Sequence, residues 1–71
     1  MAAIRLYREK AGLTQAQLAF SLGVTQAAVA MWESGDRKPD IFTLKRIAQN
    51  LNCTTDDLLE VTAESENSEE A

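Results

Sequence analysis

The sequence predicts an all-α fold of five short helices, on three observations. Apolar residues recur at steps of three and four, and no stretch alternates with the period of a strand. Threonines able to cap a helix precede three of the periodic stretches. Glycine closes the first three stretches, at Gly12, Gly23 and Gly35.

In the first helix Ile4, Tyr7, Arg8 and Ala11 share one face, and Gly12 is its C-terminal stop. Thr14 caps the second, which turns Leu18, Ala19 and Leu22 inward. Gly23 supplies the positive φ of a tight turn. Thr25 caps the third helix, whose inward residues are Ala28 or Val29, then Trp32, with Gly35 at its end. Asp36 to Pro39 form a loop, and Pro39 stands just before the fourth helix. There Ile41, Leu44, Ile47, Ala48 and Leu51 make the inward stripe. Thr54 or Thr55 caps a last short helix carrying Leu58 and Leu59, with Asp56 and Asp57 in the first turn, where the helix dipole favours them.

At 71 residues the chain makes one domain near the lower size limit for unaided folding. The lone Cys53 leaves no internal disulfide, so the fold rests on apolar packing. With no histidine, neither a usual zinc cluster nor a Ser-His-Asp or Cys-His set can be assembled, and neither an enzyme nor a metal or cofactor is expected. No apolar run nears the ~20 residues of a membrane span, and no signal-peptide core opens the chain; a soluble, cytoplasmic protein is expected.

The net charge of −4 is unevenly spread. Residues 1–59 hold seven bases and six acids, whereas residues 60–71 hold five glutamates and no base. The expected division is a domain over 1–60 and an acidic, disordered, solubilising tail over 61–71. The nearly neutral domain is compatible with DNA binding and equally with other roles.

Two short helices joined by a glycine turn at a wide angle form a helix-turn-helix, here from helices 2 and 3. The unit needs a small residue at the crossing (Ala19), glycine in the turn (Gly23) and apolar residues behind it (Val24, Val29, Trp32). All fall within Gln15 to Ser34. Such a unit lets its second helix lie in a DNA major groove while the first braces it.

The run GLTQAQLAFSLGVTQAAVAMWESGDRKPDIFTLKRIAQNLNCTTDDLL resembles the Cro and phage-repressor type of helix-turn-helix domain, the XRE family. Its carriers are GLTQ, LA, LGV, WESG, KP and IAQNL followed by DDLL, and the likeness covers residues 4 to 59. The resemblance implies a lambda-repressor-like, five-helix DNA-binding domain. It further implies a transcriptional regulator, usually a repressor, acting as a homodimer on a palindromic operator in double-stranded DNA. No small-molecule ligand is expected.

Position by position, the resemblance implies base contacts for Gln26, Ala27 and Met31. It implies backbone contacts for Thr14, Gln15, Thr25, Ser34, Arg37 and Lys38, and a structural ion pair between Arg8 and Glu33. Glutamine can pair with the N6 and N7 edge of adenine, and small apolar groups can meet thymine methyls. This chain departs from the family in its alanine-rich third helix and in Asp36 and Asp40, which flank the basic loop. Trp32 and Cys53 read as core residues, and Lys45 and Arg46 as solvated ones without a role. Leu6, Phe20 and Phe42 fall off the core stripe and are candidates for a partner surface, so a protein-interaction module on the same fold is the alternative.

Overall fold

Thr14, Thr25 and Thr54 each begin a helix in the computed structural model of the chain, which describes residues 1–59. The helices are α1 (Ala2–Lys10), α2 (Gln15–Leu22), α3 (Gln26–Ser34), α4 (Ile41–Asn50) and α5 (Thr55–Leu58). No strand occurs among the described residues. The acidic tail expected over 61–71, with Glu60 before it, lies outside them.

Side-chain oxygens satisfy the helix starts. Thr14 Oγ1 accepts from Gln17 N at 3.0 Å, and Gln17 Oε1 accepts from Thr14 N at 2.8 Å, a reciprocal capping box. Thr54 and Asp57 repeat the arrangement at α5. Asp40 caps α4, its Oδ1 accepting from Thr43 N at 2.7 Å. These bonds, first of all to the Thr43 N–H, hold the Asp40 carboxyl below its ordinary pKa. Helix ends close through left-handed residues. Gly23 has φ 75° and Gly35 φ 92°. After α4, Asn52 takes φ 59°, a conformation asparagine tolerates better than most residues.

The core is a single cluster fed by all five helices: Ile4 from α1, Leu18, Ala19 and Leu22 from α2, and Val29 and Trp32 from α3. Leu44, Ile47, Ala48 and Leu51 enter from α4 and its cap, and Leu58 from α5. α2 packs most extensively on α3, and Ala19 of α2 is buried at 3% exposed. Of the two alternatives on α3, Val29 is the buried residue and Ala28 only partly so. Two expected inward residues face solvent. Ala11 lies past the end of α1 as its cap, and Ile41 opens α4 one turn ahead of Leu44, beyond the cluster, at 53% exposed. Leu59 and Cys53 are half-buried against the core. Burial, then the Asp57 carboxylate, pushes the Cys53 thiol pKa up, which disfavours the reactive thiolate.

A Cβ added at Gly23 would meet nothing within 4 Å, so the constraint there is purely conformational. Gly23→Ala is expected to lower unfolding stability by about 1–2 kcal/mol, and Gly23→Asn by less, in urea denaturation.

Candidate nucleic-acid interface

The turn between α2 and α3 delivers α3 with its first residues outward. Thr25 caps the helix, its Oγ1 accepting from Ala28 N at 3.1 Å. Gln26 and Ala27 follow, both exposed, while Ala30 and Met31 are half-buried one turn on. A face bearing one amide and several small apolar groups stands clear of the domain.

Behind that face runs a chain of polar contacts. Arg8 donates from Nε to Glu33 Oε2 at 2.6 Å and from Nη2 to Glu33 Oε1 at 3.2 Å. Its remaining nitrogen, Nη1, donates to the Leu13 carbonyl at 2.7 Å. Gln15 Nε2 donates to Glu33 Oε1 at 3.0 Å, and Gln26 Nε2 donates to Gln15 Oε1 at 3.5 Å. The side chains of Arg8 and Glu33 are 10% and 6% exposed, so the pair is well shielded from water. Burial alone would push the Glu33 carboxyl up. The hydrogen bonds from Arg8 and Gln15, with the Arg8 charge, outweigh that and hold it below the usual glutamate value. The Glu33 hydrogen bonds, opposed by burial and aided by the Glu33 and Glu9 charges, raise the Arg8 pKa.

The Gln15 side chain therefore spans between the ion pair and the start of α3, with its Nε2 on the shielded Glu33 and its Oε1 on the exposed Gln26. Thr14 and Thr25 spend their oxygens on caps. Ser34 Oγ donates to the Met31 carbonyl at 3.2 Å and accepts from Asp36 N at 3.4 Å. The same carbonyl receives the N–H of the cap, Gly35, at 3.1 Å and that of Arg37 in the loop at 3.3 Å. Arg37 and Lys38 are exposed there. With Met31, Pro39, Asp40 and Thr43 they line a cleft of about 250 Å³ between α3 and the start of α4. Asp40, an acid beside a basic loop, is explained by its capping of α4.

Two features went unread in the sequence. Gln17 closes the cap of α2, although the spacing Thr14-x-x-Gln17 is a recognisable capping signature. Arg46 bonds the Leu22 carbonyl at 2.9 Å, a tertiary contact with no local signal. Leu6, Phe20 and Phe42 are exposed, at 51%, 87% and 74%. Among the described residues no helix is long and apolar enough to cross a membrane, and no group of three or more Cys, Asp or Glu could hold a metal ion.

Comparison with known proteins bears on the family and the fold. A family described as helix-turn-helix matches residues 4–58. The HTH-type transcriptional activator BcrR of Enterococcus faecalis is 45% identical over 47 residues, which are 66% of this chain and 23% of the relative. The chain thus spans under a quarter of that relative's length. No solved structure matches.

Breaking a shielded ion pair from one side strands a charge, whereas removing both sides does not. Arg8→Met and Glu33→Leu are each expected to cost about 3 kcal/mol in chemical denaturation, and the double variant to recover most of it. The pair also sets a pH dependence. Because the folded pKa of Glu33 is depressed, its contribution is complete above the unfolded glutamate value of about 4.3 and is lost as pH falls through the folded value. Asp40 acts in the same direction from the ordinary aspartate range downward. Melting temperature is expected to drop on acidification below that window, and the drop is expected to shrink in the Arg8→Met, Glu33→Leu double variant.

Proposed function

The chain belongs to the helix-turn-helix family and has its five-helix, lambda-repressor-like fold, and from that premise we propose that it is a sequence-specific DNA-binding transcriptional regulator. The observation that carries the proposal is the exposed start of α3, where Gln26 projects and is held from behind by Gln15. In this reading α3 enters the major groove. One Gln26 amide hydrogen stays on Gln15, and the other, with Oε1, addresses the N7 and N6 of adenine. Ala27 and Met31 supply apolar contact to thymine methyls.

The backbone grip comes from two places. At the start of α2 the capping box uses the N–H groups of Thr14 and Gln17, and those of Gln15 and Ala16 face a phosphate at the positive end of the helix dipole. On the other side Arg37 and Lys38 reach the strand, with Ser34 and Thr25 near it. So small a set of cations makes affinity depend on a second copy, and a homodimer on a palindromic operator, with half-sites about 34 Å apart, meets that need. The relative's name says activator. A domain of this kind represses where its operator overlaps a promoter and activates where it lies beside one, and repression is the sense we propose. The chemistry needs no cofactor, small-molecule ligand or catalytic group, and the cytoplasm is the compartment it suits.

A protein-interaction role is the second reading, favoured by Phe20 and Phe42, whose exposure DNA contact through α3 does not use. Selection of duplexes from a random pool separates the two. Salt-dependent enrichment of one motif is expected, with Gln26→Ala losing about 1–3 kcal/mol and its preference at one base pair. Arg37→Ala is expected to weaken all duplexes alike and to make the salt slope shallower by about 0.9. Absent or salt-insensitive binding would overturn the regulator reading.

A further inference from the structure

Arg46 takes no part in the interface described above. It lies in the middle of α4, and its Nη2 donates to the Leu22 carbonyl at 2.9 Å across a half-buried contact. Leu22 is the last residue of α2, so its carbonyl is one of the four that a helix cannot satisfy internally. The turn closes two of the others itself. Val24 N donates to the Ala19 carbonyl at 3.0 Å and Gly23 N to the Phe20 carbonyl at 3.2 Å. The Leu22 oxygen instead receives a cation from another helix, at the negative end of the α2 dipole.

Which oxygen is held matters. The Leu22–Gly23 peptide is the first plane beyond α2, and its orientation directs the chain toward Thr25 and the start of α3. Its N–H is bonded to Phe20 and its C=O to Arg46, while the Leu22 side chain is 2% exposed in the core. A planar unit held at both polar atoms and at its side chain cannot swivel freely. Gly23, which alone has a wide choice of φ and ψ there, is thereby restrained at φ, while the Val24 N–H bond to the Ala19 carbonyl restrains its ψ. We infer that Arg46 is a positioning residue for α3: it sets the angle at which Gln26 is presented and does so without touching DNA. The inference rests on the DNA-binding reading and extends it to a residue on α4.

The test uses the full chain, a duplex selected from a random pool, and random-sequence DNA as reference, well below each variant's melting temperature. Arg46→Met is expected to lose about tenfold in affinity for the selected duplex, roughly 1.4 kcal/mol, while random-sequence affinity and salt slope stay at wild-type values. Arg46→Lys, which keeps a charged donor, is expected to recover most of the loss. In nitrogen-15 spectra of the free protein, Arg46→Met is expected to move the amides of Gly23 to Gln26 and to leave α1 in place. Wild-type affinity of Arg46→Met for the selected duplex overturns the inference. An equal loss on both DNAs with a salt slope shallower by about 0.9 also overturns it, because that is a direct phosphate contact. A wild-type chain that binds no DNA removes the proposed function and this inference together, whereas wild-type binding that Arg46→Met reproduces removes this inference alone.

Discussion

Three helices meet at one carboxylate. Glu33 on α3 takes two bonds from Arg8 on α1 and one from Gln15 on α2, in surroundings where little water reaches it. Apolar surfaces alone tolerate a small slide or rotation, because dispersion and burial are nearly non-directional. A shielded carboxylate does not, since each oxygen must keep its donors or carry an uncompensated charge. Arg8 likewise meets the Leu13 carbonyl as well as both Glu33 oxygens, so its planar fork is satisfied only in one arrangement of the three helices. The node ties α1, α2 and α3 to one another on the side where Gln26 stands at its outer end.

The rest of the molecule supports that pose. Ala19 lets α2 and α3 approach, and Gly23 turns the chain between them without steric cost. From the opposite side α4 fills the core with Leu44, Ile47 and Ala48 and bonds the end of α2 through Arg46. Cations are few on the α3 side, and the acid beside them, Asp40, is committed to the start of α4. A surface of this composition offers shape, apolar and amide contact more than bulk attraction.

Much of the fold was legible in the residues. The periods of three and four, the threonine caps and the glycine stops mark local events, and each appears where spacing put it. Ile41 and Ala11 fit the periodicity yet face solvent, because periodicity describes a helix face and not how far the neighbouring layer extends. The resemblance brought Arg8 and Glu33 together across 25 positions, and the structure places them in contact. It did not reveal that Gln15 would bond Glu33 and Gln26 together, nor that Arg46, read as solvated, would reach Leu22. Those are tertiary hydrogen bonds between long polar side chains, whose direction depends on a neighbour that no local pattern encodes. Gln17 is a different case, since its spacing from Thr14 carried the signal.

The Met31 carbonyl accepts from Ser34, Gly35 and Arg37, and the last of these joins the basic loop to the end of α3. Of the three donors, Ser34 belongs to α3 and Gly35 is its cap, so the Arg37 N–H is the one that returns from the loop and ties its backbone to the helix end. A body that docks against α3 meets a loop whose backbone is already tied to the helix end, which leaves the exposed Arg37 and Lys38 side chains as the parts still to be ordered on encounter. Association of this kind is governed by orientation on collision and not by a closing step, and it leaves little room for the loop to adapt to a mismatched partner.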